Sequence, residues 1–155
     1  MTDGEKVVAT NRRARYDYDI EDTYEAGVVL TGAEVKSLRG GRASLGEAYA
    51  RLNDGEVWIE NLHIPPYAHA SDPGYDPRRP RKLLLHRGEI ERLIGRVQER
   101  GYSMVPMRLY FRRGKAKLQF GLGRGKRRHE KRDAKLEQEH QREIERAFSR
   151  RQKGR

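Results

Sequence analysis

At 155 residues the chain suits one domain with an appendage, and having no cysteine it excludes a disulfide frame and any thiolate metal site. No apolar run approaches the roughly 18–20 residues that a membrane span needs. Charge is unevenly placed: 21 basic and 17 acidic residues precede Arg124, against 13 and 6 from Arg124 onward, within a formal total of +11.

Such a concentrated surplus points to a polyanion, nucleic acid first and an acidic membrane surface second. Only 35% of residues are apolar and 37% are charged, so the core must lie in part of the chain. The opening stretch "MTDGEKVVATNRRARYDYDIED" lacks the apolar centre of a signal peptide. The expectation is a soluble, cytoplasmic protein.

Residues 1–10 show no periodicity and are expected to be flexible. "YDYDI" alternates, with Tyr16, Tyr18 and Ile20 on one face and Asp17 and Asp19 on the other, which predicts a strand. "YEAGVVLTG" continues it, and Gly27 marks a bulge or a close approach. Thr31 is placed to cap a short helix over "GAEVKSLRGG", ended by Gly40 and Gly41. Lys36 and Arg39 share one face of that helix, and Val35 and Leu38 share another. "EAYARLNDGEVWIENLHI" predicts a hairpin turning at Asp54-Gly55. Trp58 within it is expected in the core.

"PPYAHASDPGYDPRRPRK" holds five of the six prolines and predicts an irregular surface loop. A helix follows from about His86 to Arg100, with Ile90, Leu93, Ile94 and Val97 forming one buried stripe. "YSMVPMRLYFR" and "KAKLQFGL" predict a second hairpin, with Pro106 pushing its strand toward an edge or a bulge. The sum is a mainly β fold of about six antiparallel strands with flanking helices. A small closed barrel of the oligonucleotide-binding type fits it best. A ferredoxin-like sandwich fits less well.

Gly121, Gly123 and Gly125 predict a flexible hinge into the basic tail. From Asp133, Leu136, His140, Ile144 and Phe148 recur every four residues and give a narrow, slanting helical stripe. The i, i+4 pairs Glu139–Glu143, Arg142–Arg146 and Arg146–Arg150 repel. A helix of about fifteen residues with so little apolar face is marginal alone in water. The tail is therefore expected to be disordered when free and to order on an anionic partner.

Other chemistry is less well supported. Asp17, Asp19 and Glu21 form a carboxylate set without supporting ligands and suit a solvated face. His63 and His69 do not match zinc spacing. "GLGRGK" lacks the spacing and the Lys-Ser/Thr pair of a phosphate loop. No catalytic residue, metal site or cofactor is expected.

Three long stretches, in order and across nearly the whole chain, resemble the signatures of the small protein B (SmpB) family, the bacterial partners of transfer-messenger RNA (tmRNA). They are "NRRARYDYDIEDTYEAGVVLTGAEVKSLRGGRASLGEAYA", "DPRRPRKLLLHRGEIERLIGRVQERGYSMVPMRLYF" and "KAKLQFGLGRGKRRHEKRDAK". The resemblance implies a six-stranded oligonucleotide-binding-type barrel over 11–123 and a tail over 124–155 that becomes helical on the ribosome. It implies ribosome rescue by trans-translation. The body binds the tRNA-like end of tmRNA, and the tail enters the vacant decoding site and message channel of a stalled ribosome. It implies no enzymatic activity, and a monomer in a one-to-one complex with tmRNA.

Carried over residue by residue, Asn11, Tyr18, Glu25 and Leu84 are expected to contact tmRNA. Lys36, Arg39 and Lys82 are expected on phosphate. Gly125, Lys126, Arg127, His129, Lys131 and Arg132 match the ribosome-contacting block. Glu130 stands where the family usually has aspartate. Glu25 would read base amino groups, since a carboxylate repels phosphate. A structural ribosomal protein with a barrel and a basic tail is the alternative.

Overall fold

The computed structural model describes residues 4–70, 72–99, 101–126, 139–144 and 146. Seven strands and three helices follow one another: β1 (Lys6–Thr10), α1 (Ala14–Asp17), β2 (Tyr18–Val28), α2 (Gly32–Arg39), β3 (Tyr49–Asn53), β4 (Glu56–Glu60), β5 (Arg81–Leu84), α3 (Arg87–Val97), β6 (Tyr102–Arg112) and β7 (Lys115–Gly125). The strands form one antiparallel sheet in the order β1-β6-β7-β2-β5-β4-β3. The sheet is open, with β1 and β3 at its two ends, where a closed barrel of about six strands was expected. It curls enough to bring β3 beside β6 without a hydrogen-bonded register between them among the described residues.

Two strands exceed the expectation. Lys6–Thr10, where no regular element was expected, forms a strand that pairs along β6 from Lys6↔Phe111 to Thr10↔Arg108. Its short "KVVAT" run is given order by long-range pairing, which local periodicity does not report. β5 is only four residues long, and its first inward position is Arg81, 0% exposed. An arginine at a core position hides the alternation that marks a strand.

The first predicted strand also starts late. Tyr16 and Asp17 lie in α1, and β2 begins at Tyr18. Asn11 creates the turn: its Oδ1 accepts the Arg13 N–H at 3.2 Å, and its carbonyl accepts the Ala14 N–H at 3.3 Å. Ala14 is then buried, and Arg13 pairs with Asp17 at 3.5 Å.

Local chemistry settles the other elements as expected. Thr31 Oγ1 accepts the Glu34 N–H at 3.2 Å, while Glu34 Oε1 accepts the Thr31 N–H at 3.0 Å, a reciprocal cap that starts α2. Asp54 and Gly55 take φ of 53° and 77°, the turn that joins β3 to β4. Leu93 anchors α3 on the core, with Ile90 and Val97 packed beside it. Pro106 sits at the bulge of β6, between Pro106 and Arg108 in its register with β7.

The main core lies inside the curl, where Ala26, Leu38, Val57, Ile59, Leu83, Leu109, Leu118 and Phe120 are buried. Val57 and Ile59 take the inward positions of β4, so Trp58 faces outward and is half-buried rather than central. A smaller cluster of Ala14, Val105 and Met107, flanked by Tyr18 and Ile20, lies under α1.

The predicted hinge is instead the end of β7, which continues to Gly125. Its glycines permit close strand approach: a Cβ on Gly123 would lie 2.3 Å from the Asp19 carbonyl oxygen, and one on Gly121 2.7 Å from Ile20 Cγ2. The described body runs to Lys126, whose N–H donates to the Asp17 carbonyl at 2.8 Å. Beyond it, 139–144 and 146 are helical and exposed. No helix of the described residues is long and apolar enough to cross a membrane.

Candidate nucleic-acid interface

β2 carries Tyr18 and Glu25, two of the positions expected to contact tmRNA, seven residues apart, about 23 Å at ordinary strand rise. Strict alternation would put Tyr18 and Glu25 on opposite faces. The bulge between Ile20 and Asp22 reverses that parity. Before it, Tyr18 and Ile20 pack outside the curl against Val105 and Met107. After it, Tyr24 and Ala26 point into the main core, and Glu25 points out. The two side chains therefore share the outer face.

The Tyr18 end is a cleft of about 560 Å³ lined by Asn11, Arg13, Tyr18, Glu47, Tyr49 and Gly125 among others. Asn11 is fixed there, donating from Nδ2 to the Pro106 carbonyl at 3.0 Å and from its backbone to Met107 at 2.7 Å. Tyr18, not Tyr16, lines the cleft; Arg13 lies 5.5 Å over the Tyr16 ring. Gly125 is the register partner of Tyr18, and Lys126 Nζ donates to the Arg15 carbonyl at 2.8 Å. The first two residues of the predicted ribosome-contacting block thus belong to the body. Arg127, His129, Lys131 and Arg132 lie outside the described residues.

The Glu25 end is a second cleft, about 600 Å³, lined by Glu25, Gly27, Leu84, His86, Lys115 and Lys117 among others. Leu84 is 54% exposed beside Gly27, its register partner, and gives this cleft an apolar step. Glu25 accepts from the Tyr110 hydroxyl and from Arg112 Nη1 at 3.2 Å. The Tyr110 hydrogen bond, helped by Arg112 and Lys117 and opposed by burial, holds the Glu25 carboxyl below the usual carboxylate range. Burial and Glu25 push the Tyr110 phenol up, so it remains a donor.

The remaining predicted residues lie outside both clefts. Lys36 sits over the Tyr67 ring at 5.7 Å. Arg39 lies over Phe111 at 4.9 Å and donates to the Gly114 carbonyl at 3.5 Å. Lys82 faces the same way as Leu84 on β5 and pairs with Glu56 at 2.9 Å. In the carboxylate set, Glu21 is engaged by the Tyr102 hydroxyl at 2.6 Å and Arg96 at 2.7 Å. Among the described residues no group of three or more His, Asp or Glu is placed to hold a metal ion.

Tyr110, Arg112 and Lys117 join the site without having been expected. The signal was available in the second hairpin, whose turn fixes the register Tyr110↔Lys117 and places Arg108 and Arg112 on the face of Tyr110. A carboxylate acceptor, an apolar step and flanking cations suit a base edge, a base face and phosphate respectively. A curled antiparallel sheet with such an outer face is the class of small β-sheet module whose chemistry suits nucleic acid.

The comparisons with known proteins narrow the class. The family model described as "SmpB protein" matches residues 8–150. A protein of Acidothermus cellulolyticus called SsrA-binding protein is 60% identical over 151 residues, covering 97% of this chain and 95% of its own. A protein of the same name from Geobacillus thermodenitrificans is 51% identical, covering 99% of each. A solved structure described as "tmRNA-SmpB: a journey to the center of the bacterial ribosome" contains a chain 51% identical, with a TM-score of 0.63 over 81% of this chain and 92% of that one. The chain belongs to the SmpB family.

Proposed function

We propose that this chain is the tmRNA-binding adaptor of trans-translation. The body holds the tRNA-like domain of tmRNA, using Asn11 and Tyr18 at one end of the outer face and Glu25 and Leu84 at the other. Lys36, Arg39 and Lys82 lie toward phosphate. Gly125 and Lys126, at the end of the body, lead into the basic tail, which with Arg127, His129, Lys131 and Arg132 enters the vacant decoding site and message channel of a stalled ribosome. It acts as one cytoplasmic copy per tmRNA and makes or breaks no covalent bond. The same reading takes the curled sheet for a barrel of the oligonucleotide-binding type, supported by the approach of β3 to β6.

One observation carries the proposal: family likeness runs through both body and tail, over residues 8–150, and the body's outer face carries the acceptor, apolar and cationic groups that RNA needs. The test is a reconstituted reaction on ribosomes stalled at the end of a message without a stop codon. Adding this chain with alanine-charged tmRNA should append the tmRNA-encoded peptide to the nascent chain, and omitting it should not. A structural ribosomal protein would sediment with all ribosomes in stoichiometric amount and leave tagging unchanged.

A further inference from the structure

We infer that Tyr110 is the positioning residue of the Glu25 contact, occupying one carboxylate oxygen so that the other is presented to a single hydrogen-bond donor of the RNA. The inference rests on the proposed role of Glu25 and goes beyond it.

Tyr110 lies on the outer side of β6 yet is only 2% exposed. Its ring is covered by the Arg108 guanidinium at 4.3 Å, itself held by Gln119 Oε1 at 2.9 Å and by Glu5 at 2.9 Å. A tyrosine so confined has one direction for its hydroxyl, which ends on Glu25 Oε2. Arg112 Nη1 donates to the same oxygen at 3.2 Å and reaches Oε1 only at 3.5 Å. Two donors nearly fill the lone-pair capacity of Oε2, while Oε1 keeps most of its own. The Glu25 side chain is 34% exposed, which leaves this carboxylate within reach of a ligand.

This arrangement argues against a bidentate grip on the two neighbouring donors of a guanine edge. It favours one donor, an exocyclic amino group or a ribose 2′-hydroxyl. The charged groups facing Glu25 are Arg108 and Arg112 from β6, Lys115 and Lys117 from β7, Glu5 ahead of β1, and His86 and Glu89 across the cleft. Of these, Arg112 and Lys117 hold the carboxylate ionised beside Tyr110.

The experiment is a double-mutant cycle in the full chain, Tyr110→Phe, Glu25→Gln and both, with binding to the transcribed tRNA-like domain measured by filter retention from about pH 8 to about pH 5. Phenylalanine keeps the ring under Arg108, and a melting curve of each variant checks the fold. Tyr110→Phe should weaken binding about tenfold, the scale of losing the hydrogen bond between RNA and the carboxylate that it positions. The gap from wild type should widen toward pH 5, because the carboxyl loses its largest support for ionisation. In the Glu25→Gln background the second substitution should add less than about twofold. Equal affinities of wild type and Tyr110→Phe across the range, with Glu25→Gln weak, would overturn the inference alone. An unchanged affinity of Glu25→Gln, or no binding by the wild type, would overturn the reading beneath it. A Tyr110→Phe protein that does not fold is replaced by Arg108→Ala, which frees the Tyr110 ring and should reproduce part of the loss; wild-type affinity in that variant counts against the inference.

Discussion

Two carboxylates in this molecule are held by the same kinds of partner, and the proposed function gives them different work. Glu34, at the start of α2, meets Arg79, Arg81, Tyr75 and the Thr31 backbone; Glu25, on β2, meets Tyr110 and Arg112. Glu34 is 1% exposed and every donor around it comes from the protein. Arg81 is wholly buried and also donates to the Leu62 and Pro77 carbonyls, so the joint fixes the proline-rich loop and β5 onto α2. Glu25 is partly open and keeps one oxygen mostly unused. Charge and partners alone do not separate a structural acid from a recognition acid. Exposure and spare hydrogen-bonding capacity do.

The contrast breaks most visibly at the buried joint. Glu34→Ala leaves the Arg81 guanidinium buried without its counter-ion, and unfolding stability should fall by about 3–5 kcal/mol, read as an earlier urea midpoint. Gly123→Ala comes next. Its Cβ must push β7 from the Asp19 carbonyl, for a loss of about 1–3 kcal/mol in the same assay. Glu25→Gln should change stability by less than about 1 kcal/mol while weakening binding to the tRNA-like domain about tenfold. If the two carboxylates were equivalent, Glu25→Ala would cost as much stability as Glu34→Ala.

Titration sharpens the comparison further. Burial opposes ionisation of Glu34, but the hydrogen bonds from Arg79, Thr31 and Arg81 outweigh it and bring its pKa down to about 2. A depressed carboxyl contributes stability that is complete above its unfolded value of about 4.5 and is lost as pH falls toward about 2. Urea midpoints taken across that window should decline in the wild type and decline less in Glu34→Gln. The smallest effect belongs to single cations of the outer face. Lys117→Ala should reduce the salt slope of tmRNA binding by about 0.7–0.9, the share of one phosphate contact.

Elements set by local chemistry were legible in the sequence: the Thr31 cap, the Asp54-Gly55 hairpin and the Leu93 stripe each carry their cause within a few residues. Elements set by distant partners were not. β1 depends on β6, and β5 begins with an arginine whose partner is 47 positions earlier. Gly121 and Gly123 looked like a hinge because flexibility and close approach call for the same residue. The site was half legible. Motif likeness singled out Tyr18, Glu25 and Leu84, but a period-two pattern cannot place Tyr18 and Glu25 on one face without the bulge at Glu21. Tyr110 escaped notice because a tyrosine in a strand ordinarily signals packing.

The division between a gripping body and an inserting tail is tested most directly by the dissociation constant of the tRNA-like domain for a chain ending at Lys126. The account predicts a value within a few-fold of the full chain at equal salt, with a shallower salt dependence. A fall to the level seen with an unrelated RNA of the same length would contradict it.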